Sequence, residues 1–379
     1  MRAEGLGREF AHRGHEVWLA GPGRTPGARS GAAAQASLRW LGAPGSTRGL
    51  LLPAGFSPTV VLATLASLRT VRPHIVHSFG HRPAAFIPAW YLQNRRHATH
   101  VADWADWWGA GGIASERGWL GRATVGAVDG VLERWSRQSA DGLTVATTHL
   151  ATLARGWGIP AERLQTLAGG ARVDAIQPIP MKEARLRHGV DAEHRILVHA
   201  GQSAFDLDFL MDCFAEVLQG EPRARLLVIG GSPGKVARHA RWRGLSAQVI
   251  LRERLPIEQL GALLACGDVM LLPFPRLGLN LGRFPNRLGD YLSTGRPVVT
   301  NATGDVGRLI TEHGIGLAAE PDPHSTAQAA LQLLSDSALA DQLGRRGRAY
   351  AEQHLAWPVV ANEVMAFYER LRQRVEYPR

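Results

Sequence analysis

The stretch GLNLGRFPNRLGDYLSTGRPVV, residues 278–299, decides how this chain folds. Pro285 can open a helix, because the first helical positions need no amide donor. Gly295 can end that helix in a left-handed conformation, and Arg296-Pro297-Val298-Val299 then starts an apolar strand. A helix handed to a strand across one glycine is the repeating unit of a parallel sheet flanked by helices.

The same alternation runs along most of the chain on either side of this unit. Strand candidates in the first half are 16–20, 74–78, 99–102, 143–146 and 164–167. In the second half they are 195–199, 225–229, 248–251, 269–272 and 297–300. Helix-length segments fill the gaps, for example 205–218, 256–265 and 286–293, and a further helix is expected over 357–375. The expected fold is therefore α/β, with two doubly wound Rossmann-like domains facing across a cleft. Residues 173–194 hold two prolines near their start and no strand, which sets the domains at 1–178 and 179–356. Residues 357–379 are expected to pack back toward the N-terminal domain. The first helix leads into HEVWLAG, which reads as a second strand, so the first strand of the N-terminal domain is missing from the pattern. A sheet without a central strand would leave backbone groups unpaired, and the expectation is that such a strand lies upstream.

The 379 residues suffice for two cores, and 45% apolar content places the chain among globular proteins. The formal charge is +10, nearly all of it arginine, since Lys182 and Lys235 are the only lysines. Most of that charge reads as solvated helix faces, and the remainder as a preference for phosphates or an anionic membrane surface. Nucleic acid is excluded as a partner by the lack of zinc spacing, RNA-binding aromatics or a basic repeat. Cys213 and Cys266 sit in apolar helical patterns and read as buried thiols of a reducing compartment. The first residues carry no apolar signal core, and the most hydrophobic run, 59–68, is too short to span a bilayer. The expected location is cytoplasmic, peripheral to the inner face of the membrane at most.

Chemistry concentrates around the opening stretch. Asn286 and Arg287 fall in the first turn of the expected helix, where free amides and the dipole favour an anion. Arg283 and Arg287 could meet a diphosphate, and Asp290, three residues after Arg287, could accept hydrogen bonds from ribose hydroxyls. The plain alternative is a surface helix with an internal Arg–Asp pair. In the first half HVADWADWWGAGG, residues 100–112, places Asp103 at the end of a strand and hence at a cleft rim. Asp103 is the candidate general base or acceptor contact, with His77 and His81 similarly placed. Trp104, Trp107 and Trp108 beside it suit a sugar or lipid-linked acceptor, or else core packing. Asp206-Leu207-Asp208 spells a DxD, but at a helix start it reads as a cap rather than a metal site. RLLVIGGSPGK, 225–235, lacks the Lys-Ser/Thr ending of a phosphate loop, so its glycines, Gly231 among them, read as a turn close to the nucleotide. No spacing of the fifteen histidines suggests a metal.

Residues 284–299 resemble the donor-site region of the retaining GT-B glycosyltransferases, in particular glycosyltransferase family four. Members carry an acidic residue five positions before Gly-x-Pro-Val-Val, and Asp290 to Gly295 reproduces that spacing. GREFAHRGHEV, VRPHIVHSFG, LARGWGIPAERLQTLAGGARVDAIQP, RILVHAG, RLLVIGG, LGALLACGDVMLLPF and GDVGRLITEHGIGLAAEPD are also similar and stand in the family's order. The resemblance implies that Asp290 binds the ribose of a nucleotide sugar, and that the loop after the first strand of the second domain, with Gly201, Gln202 and Ser203, lies against the nucleotide. Two departures stand out. The first of the family's two glutamates, which contacts the transferred sugar, falls on Gly282. The Arg and Lys that hold the diphosphate are absent from GQSAFDLD, 201–208, and Arg283 with Arg287 would replace them.

What the resemblance implies is transfer of a hexose-type residue from a UDP- or GDP-linked sugar to a glycan or lipid-linked acceptor, with retention and without a metal or other cofactor. A sugar-nucleotide epimerase and a catalytically silent scaffold of the same fold are the alternatives.

Overall fold

The computed structural model describes residues 2–22, 38–43, 54–201 and 205–376. The chain divides into two compact units, residues 1–168 with 357–379, and residues 169–356. The division falls after Ala168 rather than at 178, and the residues between lie in the second unit, where Ala171 forms a parallel bridge with Ala356.

The first unit opens with helix α1 (Arg2–His12) and strands β1 (Val17–Pro22) and β2 (Leu38–Ala43), which pair in parallel as a two-stranded sheet. Helix α2 (Pro58–Ser67) follows. Then β3 (Ile75–Phe79), α3 (Pro83–Arg96), β4 (Thr99–Trp104), the short α4 (Trp119–Gly121), α5 (Ala127–Ser139), β5 (Gly142–Val145), α6 (Thr148–Gly156) and β6 (Leu164–Thr166) alternate. Strands β3 to β6 form one parallel sheet in sequence order, and among the described residues it is separate from the β1–β2 pair. The expected single doubly wound sheet is thus a two-plus-four arrangement here. Parallel strands buried on both faces need continuous apolar runs, and β4 and β5 are buried at every position.

The second unit contains α7 (Met181–His188), β7 (Arg195–Ala200), α8 (Leu207–Gly220), β8 (Ala224–Ile229), α9 (Pro233–Trp242), β9 (Val249–Arg252), α10 (Ile257–Leu264) and β10 (Val269–Leu271). It continues through α11 (Gly278–Leu281), α12 (Arg287–Ser293), β11 (Val298–Asn301), α13 (Gly304–His313), β12 (Leu317–Ala319), α14 (Pro323–Ser335) and α15 (Ser337–Tyr350). Its six strands are parallel in the order β12-β11-β10-β7-β8-β9. The chain winds outward from β7 to β9, returns to β10 on the other side of β7, and winds outward again. That reversal between β7 and β10 is the switch point at which doubly wound sheets open a crevice for ligands.

Helix α16 (Trp357–Glu376) returns to the first unit, where Val360, Val364, Phe367 and Leu371 join Leu6, Val101 and Leu167 in one buried cluster. The approach is close: a Cβ on Gly142 of β5 would lie 2.4 Å from Leu371 and 2.9 Å from Phe367. Both cysteines are buried free thiols, and burial pushes the Cys213 thiol up to about 12.

Candidate functional site

At the switch point β7 ends at Ala200, and Gly201 turns the chain away with φ +83°, a left-handed value that a Cβ would strain. His199 and Arg287 meet beneath that turn. The His199 ring shares a hydrogen bond with the Leu271 carbonyl through Nδ1 (3.2 Å) and with Arg287 Nη1 through Nε2 (3.1 Å). Burial, then the Arg287 charge, push this imidazole down to about 3. A neutral ring with its proton on Nδ1 satisfies both contacts, donating to the carbonyl and accepting from the guanidinium. Arg287 Nη1 also donates to the Ala200 carbonyl at 3.1 Å, and the Ala200 amide donates to the Tyr291 hydroxyl at 2.6 Å. The helix after the switch point is thereby tied to the end of the central strand.

Arg283 stands beside this junction, with its guanidinium 4.9 Å from the Phe274 ring centre and Nη2 donating to Asp206 Oδ2 at 2.5 Å. Arg287 Nη2 is 3.8 Å from the same oxygen. Two arginines thus share one carboxylate, which leaves a positive excess at the end of β7. Asp206 Oδ1 and Asn286 Oδ1 are buried and have no partner among the described residues. Buried acceptors without donors cost free energy, and they mark positions where a hydroxyl, an amide or water would be held.

The opening stretch folds nearly as its pattern indicates. Helix α12 starts at Arg287 with Asn286 at the N-cap, so Pro285 lies ahead of the helix rather than in its first turn. Gly295 ends it with φ +70°. Arg287 and Asp290 do not pair with each other. Asp290 is buried and takes a two-pronged ion pair from Arg172, Nε to Oδ1 at 3.0 Å and Nη2 to Oδ2 at 2.5 Å. Burial raises the Asp290 carboxyl above its usual range, and Arg172 only partly opposes it. Sequence reading missed Arg172 because nothing links it to Asp290 except the fold, 118 positions apart.

Gly231 turns the chain with φ +83° before Ser232 at the N-cap of α9, while Gln202 and Ser203 lie outside the described residues. The DxD aspartates divide. Asp206 occupies the N-cap of α8 but makes no capping bond there, and its Oδ2 accepts from Arg283 instead. Asp208 pairs with His239 and Arg243. Among the described residues no cluster of three His, Cys, Asp or Glu side chains could hold a metal.

In the first unit the expected rim site is a closed polar core. Asp103 is 3% exposed, not open to a cleft. It accepts from Arg2 Nε at 3.0 Å and Nη2 at 2.8 Å, and from Thr144 Oγ1 at 2.7 Å. Burial alone would raise its carboxyl, but Arg2 outweighs that and holds it below the usual range. A carboxylate with both oxygens occupied and stabilised as an anion is a poor base, so its placement does not favour the catalytic role expected of it. His77 bridges Tyr368 and Thr144 at 2.7 and 3.1 Å, and burial pushes it down to about 4. His81 lies 2.9 Å from Asp129 and is likewise pushed down to about 4 by burial. Trp104 is fully buried, stacked on Trp157 at 4.7 Å with its indole N–H donating to Glu133 at 2.7 Å. Trp107 and Trp108 are half-buried, Trp108 against the Arg82 guanidinium at 4.6 Å. The packing reading of these tryptophans is the one the structure supports.

Two parallel α/β units, the second with a basic switch-point site, are the architecture shared by the GT-B sugar transferases. Residues 1–170 match the "Glycosyl transferase 4-like domain" and residues 194–336 match "Glycosyl transferases group 1". The chain belongs to this glycosyltransferase family. Among solved structures it is similar to sucrose-phosphate synthase from Thermosynechococcus elongatus, with TM-score 0.76, 18% identity, and coverage of 97% of this chain and 92% of that one. It is also similar to WaaG, "a glycosyltransferase involved in lipopolysaccharide biosynthesis", with TM-score 0.71, 19% identity, and coverage of 96% and 93%. The Anabaena protein HepE, solved in complex with UDP and glucose, matches with TM-score 0.68, 14% identity, and coverage of 97% and 95%. An MMP alpha-(1->4)-mannosyltransferase from Mycolicibacterium hassiacum is 23% identical over 269 residues, 69% of this chain. That match spans 62% of the relative's own length.

Proposed function

We propose that this chain moves a hexose-type residue from a UDP- or GDP-linked sugar to a glycan or lipid-linked acceptor, with retention at the anomeric carbon and without a metal. The observation that carries this reading is the pair Arg283 and Arg287 at the C-terminal end of β7, sharing one carboxylate at the switch point. A diphosphate placed there would draw Arg283 from Asp206 and complete two-pronged contacts with both guanidinium groups. As the sugar–phosphate bond breaks, charge accumulates on the leaving diphosphate, and fixed arginines stabilise that charge without reorganising. Asp290, with one edge of its carboxylate held by Arg172, would offer the two remaining lone-pair sites to ribose hydroxyls. The sugar nucleotide is a substrate in this scheme, and no cofactor takes part. Retention and the lipid-linked acceptor rest on the family resemblance, and an anionic membrane surface on the cytoplasmic side rests on the arginine-rich charge of the chain. No helix of the described residues is long and apolar enough to cross a membrane.

The test is thermal unfolding with a panel of nucleoside diphosphates. A bound nucleotide in hundredfold excess over Kd should raise stability by about 2.7 kcal/mol. Asp290→Ala should abolish the shift, and an unchanged shift would remove the ribose assignment. Anomeric analysis of the product by NMR tests retention. A second reading, a silent homologue, is favoured by Gly282 standing where the family has its sugar-contacting glutamate. No shift with any nucleoside diphosphate would favour it.

A further inference from the structure

Helix α5 carries its charge inward. Asp129, Glu133 and Arg137, each four residues from the next, share one buried face of the helix. Asp129 is fully buried and forms the hub of a cation cluster at the start of α3. His81 Nε2 lies 2.9 Å from Oδ1, Arg82 donates to both oxygens at 3.0 Å, and Arg117 Nη2 donates to Oδ2 at 2.9 Å. Burial alone would raise the Asp129 carboxyl, but hydrogen bonds from Arg82, His81 and Arg117 outweigh it and hold it down at about 2. His81, itself pushed down by burial, is neutral and adds no charge. Two arginines therefore answer to one carboxylate.

Arg137 adds to the excess beneath the same turn. It is 2% exposed and donates to the Gly80 carbonyl at 3.4 Å and to Ser136 Oγ at 3.2 Å. The carboxylate one turn away, Glu133, is occupied by the Trp104 indole and the amides of Trp108 and Gly109. Donor capacity is left over. Arg117 Nη1 and Arg137 Nε are buried without a partner among the described residues, and Arg82 spends only Nε and Nη2 on Asp129. Buried donors that serve folding alone are paired. The cluster also sits on a helix start. Arg82 is the N-cap of the 14-residue α3, which has Pro83 at its first position and no side-chain cap, so the helix dipole adds positive potential there. The Arg82 guanidinium is held between the rings of Phe56 at 5.0 Å and Trp108 at 4.6 Å. Arg82 and Arg117 are 23% and 22% exposed, enough for a ligand to reach them.

We propose that this cluster is a second anion site, which holds a phosphate group of the acceptor between Arg82, Arg117 and the first turn of α3. It repeats in the first unit the device found in the second, where Arg283 and Arg287 share Asp206. A phosphoryl group suits it better than a carboxylate, because it brings three oxygens to donors on two guanidinium groups and on the free amides of a helix start. The acceptor is then a phosphorylated molecule rather than a neutral glycan. Giving the phosphate to the acceptor rests on the transferase reading, whereas the anion site itself does not.

Phosphate would also suit the donor site, so the test uses the full chain carrying Arg283→Ala and Arg287→Ala. Inorganic phosphate, glucose 6-phosphate, butyl phosphate and glucose are titrated into it by calorimetry at constant ionic strength. The three phosphates are expected to bind and glucose is not. Tighter binding of glucose 6-phosphate than of butyl phosphate would support a phosphate carried on a sugar, and the reverse order one carried on a lipid chain. Adding Arg117→Gln should weaken phosphate binding about tenfold to a hundredfold, the range for a hydrogen bond to a charged group. Arg117→Lys, which keeps the charge and loses the fork, should recover part of it, and it stands in if Arg117→Gln does not fold. The proposal is overturned if no phosphate binds, or if both Arg117 variants bind as their parent does. UDP binding to the chain with Arg283 and Arg287 intact is measured alongside. Its absence would remove the transferase reading and leave the anion site standing, and its loss in Arg117→Gln alone would overturn the separation of the two sites.

Discussion

At the end of β4, Asp103 is ringed by Arg2, Thr144 and the His77–Tyr368 pair; at the end of β7, Asp206 is shared by Arg283 and Arg287 and keeps one oxygen without a partner among the described residues. Both places are strand ends where a parallel sheet can present side chains to a ligand. In the first of these places the polar groups satisfy one another, so the site contributes to folding and offers little to a substrate. In the second, donors exceed acceptors in charge, and two buried oxygens lack partners. The lesson is that a charged residue at a strand end identifies a site only when its partners leave some of its capacity unused.

The largest effect that separates the two places is expected from Asp103→Ala. It strands the Arg2 guanidinium in the interior and should cost about 3–5 kcal/mol in denaturant unfolding, with UDP affinity unchanged. A loss of UDP binding without a loss of stability would reverse the assignment. A pH titration comes next. His77 titrates at about 4 in the folded protein against 6.5 unfolded, so the unfolded chain binds the proton first. Its contribution is therefore complete above pH 6.5 and is lost as pH falls toward 4, by up to about 3 kcal/mol. The stability–pH slope should flatten in His77→Gln, and an unchanged slope would show that the ring is not held neutral. Arg287→Ala should weaken UDP binding by about tenfold to a hundredfold, the range for a hydrogen bond to a charged group. Binding as tight as wild type would move the phosphate elsewhere. The smallest expected effect is from Asp336→Ala, which removes the cap on the Leu339 amide at the start of α15 and should cost about 1 kcal/mol. If only one of two unfolding transitions shifts, the two units melt separately.

Much of this architecture is legible in the sequence because strand and helix periods are local. Each of the ten strand candidates overlaps an observed strand, and β2 and β12 are the two that pattern reading left out. Leu317–Ala319 has three residues, too few for a period, and β2 is defined by its pairing with β1 across residues that leave no local signal. The donor-side candidates were legible through spacing, since Asp290 and Gly295 belong to one helix and its cap. Their partners were not. Arg172 reaches Asp290 in α12, and Arg283 reaches Asp206 at the start of α8, only because the fold brings distant segments together. Burial was the least legible property. Asp103 and Trp104 look like rim residues from a strand end and a tryptophan cluster, and only the packing of α1, α5 and α16 closes them in. Asp129, Glu133 and Arg137 likewise stand in an ordinary-looking helical stretch, and only the packing shows that they face inward.

The close seat of α16 on Gly142 bears on synthesis as well as on packing. Residues 169–356 form a continuous segment whose core can close as soon as it has left the ribosome. The first unit emerges earlier, yet Val360, Phe367 and Leu371 belong to its core and are made only after the whole second unit. At about 5–20 residues per second, its sheet waits some ten seconds or more with the α16 side uncovered. The order of completion is thus the reverse of the order of translation, and the half made first is the one exposed longest to chaperones and to aggregation.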